Sequence, residues 1–297
     1  MIPHIDRRSF LHSTLATTAA LAAGAAPAAE QKKTKLKKAV KYGMIKIDGS
    51  IEEKFKLIKS LGFQGVEVDS PSNIDKDEAV KARDKTGIVI HGVIDSVHWR
   101  DTLSDPNEKV RAKGLAAFKG ALDDAKLYGA DTVLLVPGVV KKDVTYEQCW
   151  KRSSAEVRKA IPLAEKNNVK IAVEVVWNNF ITKPEQLIEY VDQFKTPYVG
   201  AYFDCSNMLK YGVKSGDWIR KLGKRMLKFD FKGFNLTKFQ NKENPWVPIG
   251  EGSEDWPDVL KALAEVGYNG WATAEVGGGG RKRLQEIADR MKRVLEQ

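Results

Sequence analysis

Four carboxylates in this 297-residue chain stand at the ends of short apolar runs. Glu174 closes Lys170-Ile171-Ala172-Val173, and Asp204 closes Val199-Gly200-Ala201-Tyr202-Phe203. Glu275 closes Gly270-Trp271-Ala272-Thr273-Ala274. Asp230 lies inside Leu227-Lys228-Phe229-Asp230-Phe231-Lys232-Gly233-Phe234, where aromatics alternate with charges. Taken singly, any of these acids could be a loop residue or a helix cap, as Asp204 before Cys205-Ser206-Asn207 illustrates. Together they form a pattern. Acids that follow buried apolar residues are costly without a partner, and several converging on one place repel each other. A hard divalent cation is the simplest counter-charge, and an all-oxygen set favours Mn²⁺ or Mg²⁺ over zinc. Four carboxylates around such an ion leave a formal −2, which Lys232 can partly offset. Paired acids beside a metal can move a proton next to a carbonyl.

That chemistry requires the four runs to end on one side of the molecule. From Tyr42 onward, short β-branched or apolar runs alternate with amphipathic stretches. The spacing predicts strands over Lys41–Ile47, Gly65–Asp69, Ile88–Val93, Thr132–Val136, Lys170–Val175, Val199–Phe203, Met226–Phe231 and Gly270–Glu275. Helical stripes lie between them, such as Ile51, Phe55, Ile58 and Leu61, and Gly62, Gly129 and Gly267 follow three of them as terminating glycines. Alternating strands and helices argue for a parallel sheet. Eight units over the region 41–297 predict a single-domain (β/α)8 TIM barrel. The rival open sheet wants a glycine-rich nucleotide turn after its first strand, and Ile47-Asp48-Gly49-Ser50 is not one. In a barrel, Asp230 and Lys232 point inward while Phe229 and Phe231 face the helices. The C-terminal ends of barrel strands are where such enzymes place their active sites.

The formal charge of +10 is concentrated at the start of the chain, with +6 of it in residues 1–41. A lysine-rich segment over 30–40 reads as a solvated linker, which argues against a nucleic-acid partner. Asp6-Arg7-Arg8-Ser9-Phe10-Leu11 resembles the twin-arginine export motif, and an alanine-rich apolar stretch and Ala26-Pro27-Ala28 follow. Residues 1–29 are therefore expected to be a removed export signal, too short for a membrane span. The mature protein is expected to be periplasmic or otherwise extracytoplasmic, without stable membrane insertion. Cys149 and Cys205 do not make a disulfide framework and read as unpaired buried residues. Composition leaves the oligomeric state open.

Several stretches carry a resemblance across residues 40–297: GFQGVEVDS, ALDDAKLYGADTVLLVPG, IPLAEKNNVKIAVEVVWNNF, YVGAYFDCSNML and IGEGSEDWPDVLKALAEVGYNGWATAEV. The chain resembles the xylose-isomerase-like barrels of sugar and sugar-phosphate isomerases and epimerases. The resemblance implies one divalent metal held by Glu174, Asp204, Asp230 and Glu275, with Glu174 and Glu275 as the acid–base pair. It departs from the family at one place: where the family usually reads His-x-Lys-Asp, this chain reads Asp230-Phe231-Lys232-Gly233. Proton return to the opposite face gives epimerisation, and return to the neighbouring carbon gives isomerisation. A β leaving group would make the protein a 3-keto-glycoside lyase or hydrolase. A site that has lost its metal would leave a non-catalytic sugar-binding barrel. The apurinic-endonuclease branch needs a histidine-rich cluster, and the region after the signal has only His91 and His98.

Further residues are expected around a carbohydrate substrate. His91 is placed at the end of the third strand to bond a sugar hydroxyl, and Trp99 follows to stack on a sugar face. Trp177 follows Glu174 at the same mouth, Asn207 matches a substrate-contacting family position, and Glu67 ends the second strand. Trp246 sits in a loop that could act as a lid. An exported protein argues for an unphosphorylated sugar, and Gly277–Gly280 reads as a mobile loop more readily than as a phosphate site.

Overall fold

The Ser50 hydroxyl accepts the Glu53 N–H while Glu53 reaches back to the Ser50 N–H. This reciprocal cap satisfies two donors that the first helical turn leaves free. Gly62 ends that turn of chain at φ 82°, and Gly129 and Gly267 do the same elsewhere at 70° and 71°, a conformation cheap only without a β-carbon.

The computed structural model describes residues 35–296, so the expected export signal over 1–29 lies outside the described residues. The strands are β1 (Lys37–Lys41), β2 (Gly65–Ser70), β3 (Val89–Asp95), β4 (Thr132–Leu135), β5 (Lys170–Glu174), β6 (Val199–Asp204), β7 (Met226–Phe231) and β8 (Trp271–Ala274). The helices are α1 (Ile51–Ser60), α2 (Lys76–Thr86), α3 (Glu108–Tyr128), α4 (Tyr146–Asn167), α5 (Pro184–Asp192), α6 (Ser215–Leu222), α7 (Leu236–Gln240), α8 (Trp256–Glu265) and α9 (Arg281–Leu295). Each strand pairs in parallel with the next, and β8 returns to β1 with Lys37 opposite Trp271. The result is a closed (β/α)8 TIM barrel, as the alternation predicts.

The first strand is a correction. It occupies 37–41, not 41–47, so residues 37–40 belong to the barrel and not to a linker. The lysines there are not simply solvated. Lys37 and Lys38 lay their ammonium groups over the Trp271 and Phe63 rings at 5.1 and 5.8 Å, with apolar stems that can cover aromatic surface. Ala39 and Val40, which follow them, are buried.

The outward faces of β6 and β7 pack on helices. Phe231 stacks on Trp256 of α8 at 4.6 Å, and Phe203 on Trp218 of α6 at 5.6 Å. Burying each such ring stabilises the fold by roughly 1.5–3 kcal/mol. This anchoring leaves Lys228, Asp230 and Lys232 on the interior face. Two register shifts adjust what points inward. Between β2 and β3, Val66 pairs with Ile90 but Glu67 with Gly92, so His91 is the extra residue. Between β6 and β7, Ala201 pairs with Met226 but Tyr202 with Lys228, so Leu227 is the extra one. Leu227 joins Leu134, Ala172, Tyr202 and Ile94 in a separate apolar cluster. Cys149 and Cys205 are buried and free.

Candidate active site

Glu174 and Asp204 are the last residues of β5 and β6, Asp230 is next to last in β7, and Glu275 follows β8. Each offers a carboxylate oxygen, and the four oxygens lie within 4.8 Å of one another. That spread is about twice a metal–oxygen bond. Glu174, Asp204 and Asp230 are buried, whereas the Glu275 side chain is 36% exposed.

Lys232 and Lys41 enter this cluster from opposite flanks. Lys232 Nζ lies 2.6 Å from Glu275 Oε2 and donates to Asp204 Oδ2 at 3.1 Å. Asp204 Oδ1 accepts the N–H groups of Ser206 and Asn207 at 2.7 and 2.8 Å. It therefore does both things expected of it, facing the cluster and capping the following turn. Lys41 Nζ lies 2.9 Å from Asp230 Oδ2 and 2.9 Å from Glu67 Oε2. The Tyr202 hydroxyl donates to Asp230 Oδ1 at 2.7 Å and sits 2.9 Å from Glu67 Oε2. Asp230 is thus held on both oxygens by the barrel interior.

Burial pushes the Asp230 and Glu174 carboxyls well above the usual range, and Asp204 moves up for the same reason. Lys41 offsets part of this at Asp230, while the Glu275 charge adds to it at Glu174. Glu275 goes the other way: burial raises it, but Lys232 and then Lys41 outweigh burial and hold it below the usual range. Both lysines are pulled up by the acids around them despite burial.

The donor set fits a divalent cation. Five carboxylates, with Glu67, face the two ammonium groups of Lys41 and Lys232, a formal −3 that one such ion reduces to −1. Asp230 Oδ2 and Glu275 Oε2 have no close partner beyond the ammonium groups of Lys41 and Lys232 at 2.9 and 2.6 Å, so each keeps a lone pair to offer.

Above the acids lies a cavity of about 270 Å³, whose wall includes Lys41, Glu174, Glu275, Lys232 and Asn207, with Trp99, Trp177 and Trp246. Trp177 is fixed by donating Nε1–H to the Asn207 carbonyl at 2.7 Å and stacks on Trp246 at 5.1 Å. Trp99 and Trp246 are exposed at the mouth. His98 also lines this cavity. Its Nδ1 accepts the Val136 N–H at 3.3 Å, which places the ring proton on Nε2. Burial keeps the ring neutral, with its pKa down at about 4.

Two expected substrate contacts lie elsewhere. His91 does not end β3; it is the bulged third residue, buried on the barrel interior and stacked on Trp271 at 4.4 Å. Its Nδ1 faces Lys228 at 3.2 Å and its Nε2 faces Thr273 at 3.3 Å. Glu67 is the third of six residues in β2 and is buried beneath the site, where it holds Lys41. Its space exists because Gly92 opposes it: a β-carbon there would lie 2.6 Å from Glu67 Oε1.

Lys41 and Tyr202 escaped sequence reasoning. The available signal was position. Lys41 closes the first strand just as Glu174 and Asp204 close theirs, once that strand is placed at 37–41.

A model of the xylose isomerase-like TIM barrel family matches residues 55–296. L-ribulose-5-phosphate 3-epimerase UlaE of Escherichia coli O1:K1 / APEC is 23% identical over 229 residues, covering 73% of this chain and 79% of that protein. The crystal structure of 3-keto-D-glucoside 4-epimerase YcjR from E. coli superposes with a TM-score of 0.76 at 16% identity, over 89% of this chain and 100% of that one. The IOLI protein, solved with a zinc atom, gives a TM-score of 0.74 at 19% identity, over 88% of this chain and 98% of that one.

Proposed function

We propose, for a chain that belongs to the xylose isomerase-like TIM barrel family, that it is a carbohydrate epimerase or isomerase acting by proton abstraction beside a carbonyl. The observation that carries this reading is the placement of Glu174 and Glu275 in one four-carboxylate cluster under a tryptophan-walled cavity. The similarity to UlaE and YcjR, both sugar epimerases, supports it.

Glu174 and Glu275 extend from β5 and β8, with β6 and β7 between them. They approach a sugar in the cavity from different sides. Glu275, held as a carboxylate by Lys232 at 2.6 Å, takes the proton from the carbon next to the carbonyl. Glu174, on β5 across the cluster, returns a proton to the opposite face. The product is the epimer, and the two glutamates exchange protonation states for the reverse reaction. Lys41 and the Nε2–H of His98 border the cavity as donors for sugar oxygens, and fixed donors of this kind stabilise developing charge. Trp99, Trp177 and Trp246 wall the cavity with aromatic surface, and Asn207 and Lys232 offer polar contacts. Glu174, Asp204, Asp230 and Glu275 are the residues that would hold Mn²⁺ or Mg²⁺, which when bound would polarise the carbonyl. Export through a twin-arginine signal, read from residues outside the described region, makes an unphosphorylated keto-sugar the preferred substrate.

The test is deuterium exchange. The purified protein with Mn²⁺ is incubated with keto-sugars in heavy water and followed by NMR. Loss of the proton signal beside the carbonyl, with growth of the epimer, is expected in the parent and not in a folded Glu275→Gln variant. Unimpaired exchange in that variant would remove Glu275 from the mechanism. Saturable sugar binding without exchange in the parent would make the barrel a binding protein instead.

A further inference from the structure

One buried acid takes no part in the proton transfer. Glu254 precedes α8 and is buried. Its Oε1 accepts two donors from separate stretches of chain, the Ser206 hydroxyl at 2.6 Å and the Phe234 N–H at 2.7 Å. Its Oε2 is buried with no partner among the described residues. A carboxyl buried on these terms is costly to the fold. What it supplies is a joint between the two stretches that meet on it.

Phe234 is the root of a flap over 234–253. Its N–H goes to Glu254, and its carbonyl accepts the Ser253 N–H at 2.7 Å. Within the flap, Phe234 pairs with Trp246 in an antiparallel bridge. Asn235 N–H donates to the Pro245 carbonyl at 2.8 Å, and Val247 N–H to the Gly233 carbonyl at 3.0 Å. Trp246 then lies over Lys232 Nζ at 4.8 Å and walls the cavity. On the other side of the joint, Ser206 donates its N–H to Asp204 Oδ1 at 2.7 Å. One series of contacts therefore runs from Asp204 through Ser206, Glu254 and Phe234 to Trp246. The backbone turns closely around it: a β-carbon on Gly252 would run into Glu254 Oε2.

We infer that Glu254 is a positioning residue that fastens the flap, and Trp246 with it, to the turn that fixes Asp204. The joint holds the aromatic wall in register with the carboxylate cluster. Its effect on substrate rests on the proton-transfer reading, whereas the joint itself does not. A wall that binds substrate and transition state alike affects KM more than kcat.

Glu254→Met keeps the length of the side chain and removes the acceptor. Glu254→Gln keeps a carbonyl oxygen for both donors. Amide hydrogen exchange, read peptide by peptide by mass spectrometry without added sugar, follows the flap directly. In Glu254→Met the flap is expected to exchange at least about tenfold faster, while β1–β4 exchange as in the parent. Trypsin is expected to cut sooner at the exposed Lys238 or Lys242. Glu254→Gln should restore most of the protection, and Gly252→Ala, which drives the carboxyl from its place, should resemble Glu254→Met. For a keto-sugar that the parent turns over, Glu254→Met should raise KM about tenfold with a smaller change in kcat, and Glu254→Gln should return it. Flap exchange unchanged in Glu254→Met and Gly252→Ala, or quickened equally throughout the barrel, would overturn the inference and leave the proposed function standing. A looser flap with an unaltered KM would also overturn the positioning role. Failure of every keto-sugar to exchange its proton would remove the proposed function, and the amide exchange would still decide the joint.

Discussion

Replacing Lys41 by methionine tests the electrostatic core of the site. The Lys41 side chain is 10% exposed and Asp230 is 0% exposed, with Nζ 2.9 Å from Asp230 and 2.9 Å from Glu67. Solvent cannot screen either contact, so the modest values of surface pairs do not apply. Methionine keeps most of the stem but leaves two buried carboxylates without their cation. Breaking a buried pair from one side costs about 3–5 kcal/mol. For a chain of this size that corresponds to a fall in Tm of about 6–20 °C. Guanidinium denaturation of Lys41→Met, Asp230→Asn and the double variant gives the coupling directly. The double variant is expected to be more stable than the sum of the single losses predicts, by about 2–3 kcal/mol. A loss below about 1 kcal/mol in Lys41→Met, or strict additivity, would show that the ammonium does not hold Asp230, and the charge balance proposed for the site would fail with it.

Three further outcomes follow from particular residues. Gly92→Ala places a β-carbon 2.6 Å from Glu67 Oε1 and should cost about 1–3 kcal/mol by denaturation; a neutral result would mean Glu67 has room to move. Asp95 is buried with the Val97 N–H on its Oδ1, and burial lifts its pKa to about 7, against the opposing effect of that bond and with help from Asp101. An acid raised in the folded state binds its proton there more tightly than in the unfolded chain. Stability is therefore greatest below the unfolded value near 4 and falls as pH rises to about 7, by at most about 4 kcal/mol. Asp95→Asn should flatten that slope in pH-dependent melts, and an unchanged slope would assign the titration elsewhere. Trp177→Leu removes the ring that stacks on Trp246 and donates to the Asn207 carbonyl, and should raise KM about tenfold with a smaller effect on kcat; an unaltered KM would place sugar binding on other walls.

The carboxylate cluster was legible because it obeys a local rule. Each acid ends an apolar run, and the strand period carries that placement into the barrel without knowledge of distant contacts. The alternation in β7 likewise told that Phe229 and Phe231 would be separated from Asp230 and Lys232. What failed depended on partners far away in the chain. Lys41 looked like the opening residue of the first strand, not its end, and Glu67, Tyr202 and Asp230 reach it only after the barrel closes. His91 looked like a mouth residue because one extra residue in β3 cannot be seen in an apolar pattern. The bulge keeps it buried on the interior, stacked on Trp271, instead of at the cavity. Glu67 was placed at a strand end for the same reason: a buried acid inside a strand is costly, and Lys41, which relieves it, gave no sign in the sequence of pointing at it.

The most direct test of the account is the metal content of the purified mature protein. The donor set predicts about one equivalent of manganese or magnesium per chain, lost in Asp230→Ala while the fold persists by circular dichroism. A protein that stays free of metal after incubation with either ion would contradict it, because the surplus of carboxylates would then be balanced by protons and lysines alone.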